Sequence, residues 1–191
     1  MFLAMGMGTI YPGEPRPFEN KLVLIDPSGQ IVLSYRKVHP VMGWETGIMR
    51  PGDEDISVVP TPRGRVAGAI CYDADFPAFI RRAGLESADL FVLPVNEWRS
   101  IKDVHLHMHV FRAIENGMPL VRAAAVGLSA AVDPWGRLLG VSDHFAPGDS
   151  TLVVQVPIGH VPTIYGRVGD LFGWLCVVGL VLVLALALSA I

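Results

Sequence analysis

The 191-residue sequence is poor in several features, and each shortage narrows the possible functions. It contains two cysteines, Cys71 and Cys176, which are too few for a disulfide framework. Its 15 basic residues form no basic block and are outnumbered by 18 acidic residues, so we predict no nucleic-acid partner. Residues 1–10 are apolar but lack a positively charged segment and a clear cleavage site, which excludes a signal peptide and indicates a core strand.

Charged residues are also missing from the C-terminal segment, 171–191. At about 1.5 Å per residue, a helix of this length spans roughly 30 Å, which is enough to cross a bilayer core. We therefore predict a globular domain at 1–160, a juxtamembrane linker at 161–170 and a transmembrane helix at 171–191. Because Cys176 lies in the predicted span, a disulfide with Cys71 is excluded and Cys71 is predicted to be a free thiol.

Strand and helix patterns alternate along the rest of the chain, which predicts an α/β domain with a mixed sheet. The turn at 26–29 joins two strands of a hairpin. Strands are predicted at 21–25, 31–35, 66–70, 89–95, 119–125, 128–132, 137–141 and 151–156, and helices at 77–87 and 101–117.

The segment 65–77 carries the main chemical candidate, because its strand ends at Cys71 just before Pro77 opens a helix. Backbone N–H groups at a helix N-terminus favour thiolate over thiol, so Cys71 is a candidate nucleophile. The alternative is a small buried apolar residue. Lys37 ends the hairpin beside a long loop at 38–55 and is a candidate for stabilising an oxyanion, or else a surface lysine.

Three histidines cluster in the predicted helix, at positions 105, 107 and 109. Only His105 and His109 share a helix face, and the sequence nominates no third ligand. We therefore predict no metal site and no cofactor. On the same helix, Arg112 and Glu115 are predicted to form a structural ion pair.

The loop at 38–55 and the end of the strand at 89–95 supply the remaining candidates. Trp44 and Glu45 lie between glycines of the loop, where a solvated loop carboxylate is the alternative for Glu45. Asn96, Glu97 and Trp98 follow a buried strand, at the usual location of functional groups in α/β sheets and where a pocket wall is expected. We predict that Trp44, Asn96 and Trp98 contact substrate.

Several ordered motifs between residues 18 and 157 resemble the nitrilase or carbon-nitrogen hydrolase superfamily. They are Ser34-Tyr-Arg-Lys37-Val-His39, Val66-Ala-Gly-Ala-Ile-Cys71-Tyr-Asp73, the stretch RAIENGMPLVR at 112–122, and Asp133-Pro-Trp-Gly136. Within this superfamily the chain is most similar to the apolipoprotein N-acyltransferase branch. Glu45 follows Lys37 by eight residues, which matches the second active-site glutamate of that branch, and residues 163–170 run directly into the apolar segment.

The resemblance implies a nitrilase-like α-β-β-α sandwich with mixed sheets, here without its N-terminal part. It also implies a Glu-Lys-Cys triad in which Cys71 attacks a phospholipid ester and Lys37 stabilises the oxyanion. Glu45, as a second active-site glutamate outside the triad, would help to position the base or gate the lipid entrance. Tyr72 would complete the oxyanion hole with its backbone N–H, and Asp73 would adjoin the substrate. The thioester would then acylate the α-amino group of a lipoprotein's lipid-modified N-terminal cysteine.

These substrates imply a bacterial cell membrane, with the catalytic domain on the extracytoplasmic side in the full-length protein. Position 73 is Asp where the family commonly has Glu. The general-base glutamate of the family lies well upstream of its lysine, and neither Glu14 nor Glu19 is nominated for that role. We therefore expect a C-terminal portion of a longer protein that is inactive alone. The alternatives are a membrane-anchored amidase-type hydrolase and a non-catalytic tail-anchored pseudoenzyme.

Overall fold

A three-stranded antiparallel sheet forms the first layer of the computed structural model, which describes residues 1–53, 55–148 and 151–189. Its strands are β1 (Leu3–Ile10), β2 (Phe18–Ile25) and β3 (Ile31–Arg36), in that order. The predicted hairpin is confirmed, and the Asp26 side chain closes its turn by accepting the backbone N–H groups of Ser28 and Gln30 at 2.8 and 3.0 Å.

A six-stranded mixed sheet forms the second layer. In spatial order it contains β4 (Val59–Thr61), β5 (Gly64–Gly68), β6 (Leu90–Val95), β7 (Leu120–Ala124), β8 (Leu128–Val132) and β9 (Leu138–Asp143). Strands β5, β6 and β7 are parallel, and their other neighbours are antiparallel. The carboxyl ends of the parallel strands meet at one edge, where Cys71 and Asn96 follow their strands.

The two sheets pack face to face around one apolar core. Leu22, Leu24 and Leu33 of the first sheet share this core with Val66 and Phe91 of the second. A Cβ atom at position 68 would lie 2.5 Å from the Leu22 side chain, so this close approach requires Gly68. The α/β class with mixed sheets is therefore confirmed.

Helices α1 (Pro77–Leu85) and α2 (Lys102–Asn116) pack beside each other, and α2 lies on β7 and β8. Gly117 ends α2 in the left-handed region, with φ of 57°, as predicted. The predicted ion pair is also confirmed, because Arg112 Nε lies 3.0 Å from a carboxylate oxygen of Glu115.

The first strand differs from the prediction in its burial. Residues 3–10 do form β1, but this strand lies at the edge of the three-stranded sheet, and Met5 and Met7 are 40% and 39% exposed. The prediction of a core strand is therefore wrong, because apolar composition alone does not show what covers a strand.

The predicted strand at 151–156 is also wrong, since these residues belong to no strand. Their alternation has another cause: Leu152 and Val154 are half-buried and lie over Gly140 of β9, whereas Val153 is 89% exposed.

Two further helices, α3 (Ile164–Val168) and α4 (Leu171–Ser189), complete the described chain. The Arg81 guanidinium of α1 donates hydrogen bonds to the carbonyls of Tyr165, Gly166 and Arg167, which dock α3 on the domain. Helix α4 has no buried residue and is long and apolar enough to cross a membrane by length and composition. Positions 190 and 191 of the predicted span lie outside the described residues.

Candidate active site

Cys71 begins a short 3-10 helix, Cys71–Asp75, which is separated by two residues from the carboxyl end of β5. Its φ of +48° lies in the left-handed region, which is uncommon for a residue with a side chain and is typical of strained functional sites. Its thiol faces a cavity of about 1000 Å³, and Sγ lies 3.8 Å from the backbone carbonyl oxygen of Asn96.

Lys37 and Glu45 form a buried ion pair in the wall of the same cavity. Lys37 Nζ lies 2.5 Å from Glu45 Oε2, and each side chain is only 2% exposed. Glu45 Oε2 also accepts the backbone N–H of Val41 at 2.6 Å, so the carboxylate that faces Lys37 is held in place. The structure thus brings together all three residues predicted as catalytic: Cys71, Lys37 and Glu45.

The charge state of Cys71 differs from the expectation. Burial raises the pKa of the Cys71 thiol above its ordinary value, although the Asn96 carbonyl contact and the positive charge of Lys37 act in the opposite direction. The prediction that Cys71 favours the thiolate form is therefore wrong. A single 3-10 turn contributes little dipole, whereas removal from water penalises the charged form.

The two residues after Cys71 have different positions. Tyr72 lines the cavity and packs its ring edge-on against Phe76, with centroids 5.3 Å apart. Asp73 is completely buried and is not among the residues that line the cavity. Its carboxylate accepts the Tyr35 hydroxyl at 2.6 Å and the His39 backbone N–H at 2.7 Å, so it ties the Cys71 turn to the end of β3.

The rim of the cavity carries the other predicted substrate contacts. Trp44 and Trp98 line it and remain 59% and 56% exposed, and Asn96 lines it beside Cys71. Large exposed apolar side chains at a cavity mouth are typical of a surface that receives an apolar partner. Met42, 80% exposed, is outside the lining.

A buried polar network next to Cys71 was not predicted from the sequence. Glu97 is ion-paired with Arg122, and its Oε2 lies 2.6 Å from His105 Nδ1. His105 Nε2 lies 2.9 Å from Asp75 Oδ1. Burial opposes the charged form of His105, but its contacts with Asp75 and Glu97 outweigh burial and raise its pKa. The sequence signals for this network were the position of Glu97 at a strand end and the pairing of His105 with His109 on one helix face.

Asp75 also corrects the prediction that no third ligand accompanies the two histidines. Ligand atoms of Asp75, His105 and His109 all lie within 4.8 Å of one another. Burial lowers the pKa of His109 to about 3, so its imidazole is neutral at physiological pH. Asp75 was missed because it comes from a separate turn, 30 residues before His105.

The sequence model of the family described as carbon-nitrogen hydrolase matches residues 1–163. This chain belongs to the carbon-nitrogen hydrolase family. The match covers both sheets, α1, α2 and every residue of the cavity named above.

Relatives within this carbon-nitrogen hydrolase family support the predicted branch. An apolipoprotein N-acyltransferase from Geobacter metallireducens is 31% identical over 196 residues, covering 92% of this chain and 37% of that protein. Another from Chlamydia muridarum is 36% identical over 128 residues, covering 63% and 24%. A formamidase from Bradyrhizobium sp. is 31% identical over 131 residues, covering 66% and 37%. The chain thus matches between 24% and 37% of the length of these relatives.

Solved structures of amidases share the fold. A mutant amidase from Nesterenkonia sp. AN1 superposes with a TM-score of 0.68 at 26% identity, covering 75% of this chain and 57% of its own. That structure shows covalent addition of an acetamide moiety at the active-site cysteine. The same amidase is described as a member of the nitrilase superfamily, which confirms the predicted nitrilase-like fold.

Proposed function

We propose that this chain supplies the nucleophile and the oxyanion-stabilising lysine for acyl transfer of the apolipoprotein N-acyltransferase type. Its acyl donor is a phospholipid, and its acceptor is the lipid-modified N-terminal cysteine of a lipoprotein. The observation that carries the proposal is the convergence of Cys71 with the buried Lys37–Glu45 pair in one large cavity. The sequence similarity to proteins named apolipoprotein N-acyltransferase supports the choice of branch.

In the first half-reaction the Cys71 sulfur attacks the ester carbonyl carbon of the phospholipid after losing its proton. The ammonium group of Lys37 and the backbone N–H of Tyr72 stabilise the oxyanion that develops. The carbon–oxygen bond then breaks, the lysophospholipid oxygen takes up a proton, and the acyl group remains on sulfur as a thioester.

In the second half-reaction the α-amino group of the acceptor attacks the thioester carbonyl, the carbon–sulfur bond breaks as the amide forms, and the Cys71 sulfur takes up the proton that the amine releases. A thioester suits this step because it reacts with amines more readily than the starting oxygen ester does. Glu45 contributes by orienting Lys37 through their 2.5 Å contact.

The size and walls of the cavity support a lipid donor. A volume of about 1000 Å³ lies at the upper end of the range typical of small-molecule sites. Its walls include the apolar side chains of Met5, Met7, Phe18, Val92 and Trp98. An acyl chain would bury these groups, whereas a small amide would leave most of the cavity to water.

A membrane location follows from the same proposal. We propose that residues 1–160 form the catalytic domain and that α4 anchors it at the surface of a bacterial cell membrane, where both lipid substrates are confined. The length and composition of Leu171–Ser189 support this arrangement.

An amidase-type hydrolase is the second candidate, favoured by the superposition on the Nesterenkonia amidase and by the formamidase relative. The two activities differ in the donor that acylates Cys71. The proposal predicts acylation by phospholipid and none by formamide or acetamide, and the amidase alternative predicts the reverse.

The test is a single-turnover reaction of the full chain in mixed detergent–phospholipid micelles, followed by intact-protein mass spectrometry. The reaction is repeated from about pH 7 to about pH 9.5, because at the upper end a thiol ionises without a general base. Cys71→Ser is the negative control, and Cys176→Ser is the matched control at the other cysteine. Turnover of small amides together with inertness to phospholipid would contradict the proposal.

A further inference from the structure

A second group of chemically active side chains adjoins the Cys71 cavity and is not used in the proposed acyl transfer. His105 and His109 lie one turn apart on α2 and both are buried, whereas His107 between them is exposed. Asp75 ends the 3-10 helix that begins at Cys71. We propose that Asp75, His105 and His109 bind one divalent transition-metal ion of the zinc class.

The distances fit one small ion. Asp75 Oδ1 lies 2.9 Å from His105 Nε2 and 3.8 Å from His109 Nε2. Ligand atoms about 2.0–2.1 Å from a tetrahedral zinc ion are roughly 3.3 Å apart. The two separations bracket this value, and all three ligand atoms lie within 4.8 Å of one another, so modest side-chain shifts would bring them into a common coordination sphere.

His109 provides an independent indication of a ligand. Its side chain is completely buried, and neither ring nitrogen has a hydrogen-bond partner among the described residues. Its Nε2 faces the Asp75 carboxylate from beyond hydrogen-bond distance. Buried polar atoms are nearly always satisfied, and a neutral imidazole is the form that coordinates metals. An ion between His109 and Asp75 would satisfy Nε2.

A buried carboxylate, that of Glu97, supports His105 on the side of its ring away from the proposed ion. Glu97 Oε2 lies 2.6 Å from His105 Nδ1, so the Nδ1 proton is directed to a carboxylate and Nε2 is left to coordinate. Glu97 is in turn ion-paired with Arg122. Metal-bound histidines commonly donate to such a carboxylate, which fixes their tautomer and ring orientation.

The ligand set selects the class of metal. Two imidazoles and one carboxylate suit zinc and neighbouring first-row ions, whereas calcium and magnesium prefer oxygen ligands. Three protein ligands leave a fourth position open. Because Asp75 and His105 line the Cys71 cavity, the proposed ion would lie beside that cavity. The ion would also link the turn that carries Cys71 to helix α2.

The same contacts have one competing explanation, in which a protonated His105 bridges Asp75 and Glu97 and no metal binds. The test distinguishes the two with cobalt(II) as a spectroscopic probe of zinc sites. The full chain in detergent is stripped with a chelator and titrated with Co²⁺. We expect visible absorption bands of a four-coordinate site that saturate at one equivalent and disappear when Zn²⁺ is added.

Variants locate the ion. His109→Gln and Asp75→Asn should each weaken Co²⁺ binding by tenfold or more. His107→Gln is the matched control on the exposed face of the same helix and should bind like the parent chain. Cys71→Ser should keep the visible bands, because the proposed ligands do not include sulfur.

Two results would overturn the proposal, and the first does not depend on how any variant folds. A parent chain that shows no saturable four-coordinate Co²⁺ spectrum would establish the protonated-histidine bridge instead. A spectrum that survives His109→Gln but is lost in His107→Gln or Cys71→Ser would place the ion elsewhere.

Discussion

The buried Lys37–Glu45 pair allows the catalytic and structural roles of Lys37 to be separated. Lys37→Met removes the ammonium group and leaves the Glu45 carboxylate, whose side chain is 2% exposed, without a counter-ion. Breaking a buried pair from one side costs about 3–5 kcal/mol of stability. Glu45→Gln leaves the lysine unpaired and should cost a similar amount.

The double variant Lys37→Met/Glu45→Gln removes both charges and should recover most of the lost stability, because no uncompensated buried charge remains. It should not recover activity. Loss of one oxyanion-stabilising group lowers the acylation rate by about 10²–10³-fold, and both variants without Lys37 should show this loss. Stability is measured by denaturant unfolding of the full chain in detergent, and acylation by mass spectrometry.

Alkylation of Cys71 by iodoacetamide supplies a readout that does not depend on the substrate. The positive charge of Lys37 lowers the Cys71 pKa, so its removal should slow alkylation at a fixed pH. Lys102→Met, at a lysine outside the cavity lining, is the matched control. It should change neither the alkylation rate nor the acylation rate of Cys71. The reasoning is refuted if Lys37→Met acylates at the parental rate, or if the double variant is as unstable as the sum of the single variants.

Three further predictions follow from the geometry. Because burial raises the pKa of Cys71, its alkylation should rise with pH through a midpoint above the ordinary thiol value of about 8.5; a midpoint at or below that of free cysteine would contradict this. Asp73→Ala should destabilise the chain by about 3 kcal/mol or more, since it leaves the buried donors of Tyr35 and His39 unpaired, and a thermal unfolding curve like the parent's would contradict this. Gly117→Ala should destabilise the chain more than Gly29→Ala, because a Cβ at 117 would lie 1.7 Å from the Val161 carbonyl oxygen whereas position 29 is open; equal unfolding midpoints would contradict this.

Local patterns in the sequence predicted much of the fold because they depend on neighbouring residues. The hairpin around 26–29, the helix that ends at Gly117 and the order of strands along the chain all follow from turn residues and apolar periodicity. Burial of β1 and pairing of residues 151–156 depend on what packs against them, and both predictions failed for that reason.

Some features of the candidate site were likewise predicted from the sequence, and others were not. The positions of Lys37, Glu45 and Cys71 were predicted from family motifs together with the ends of strands, and the structure places all three in one cavity. The ionisation of Cys71 was predicted wrongly, because desolvation is set by residues distant in sequence. The network of Asp75, Glu97, His105 and Arg122 joins separate elements, and no local spacing indicates such a cluster.

Acceptance of a fatty acyl group by Cys71 is the central claim, and peptide-mapping mass spectrometry tests it most directly. The full chain is incubated with phospholipid vesicles at about pH 9, digested and mapped, with and without hydroxylamine. The account predicts a fatty acyl group on the Cys71 peptide that hydroxylamine removes, as expected of a thioester. An unmodified Cys71 peptide, or an adduct that persists in Cys71→Ser chains, would contradict it.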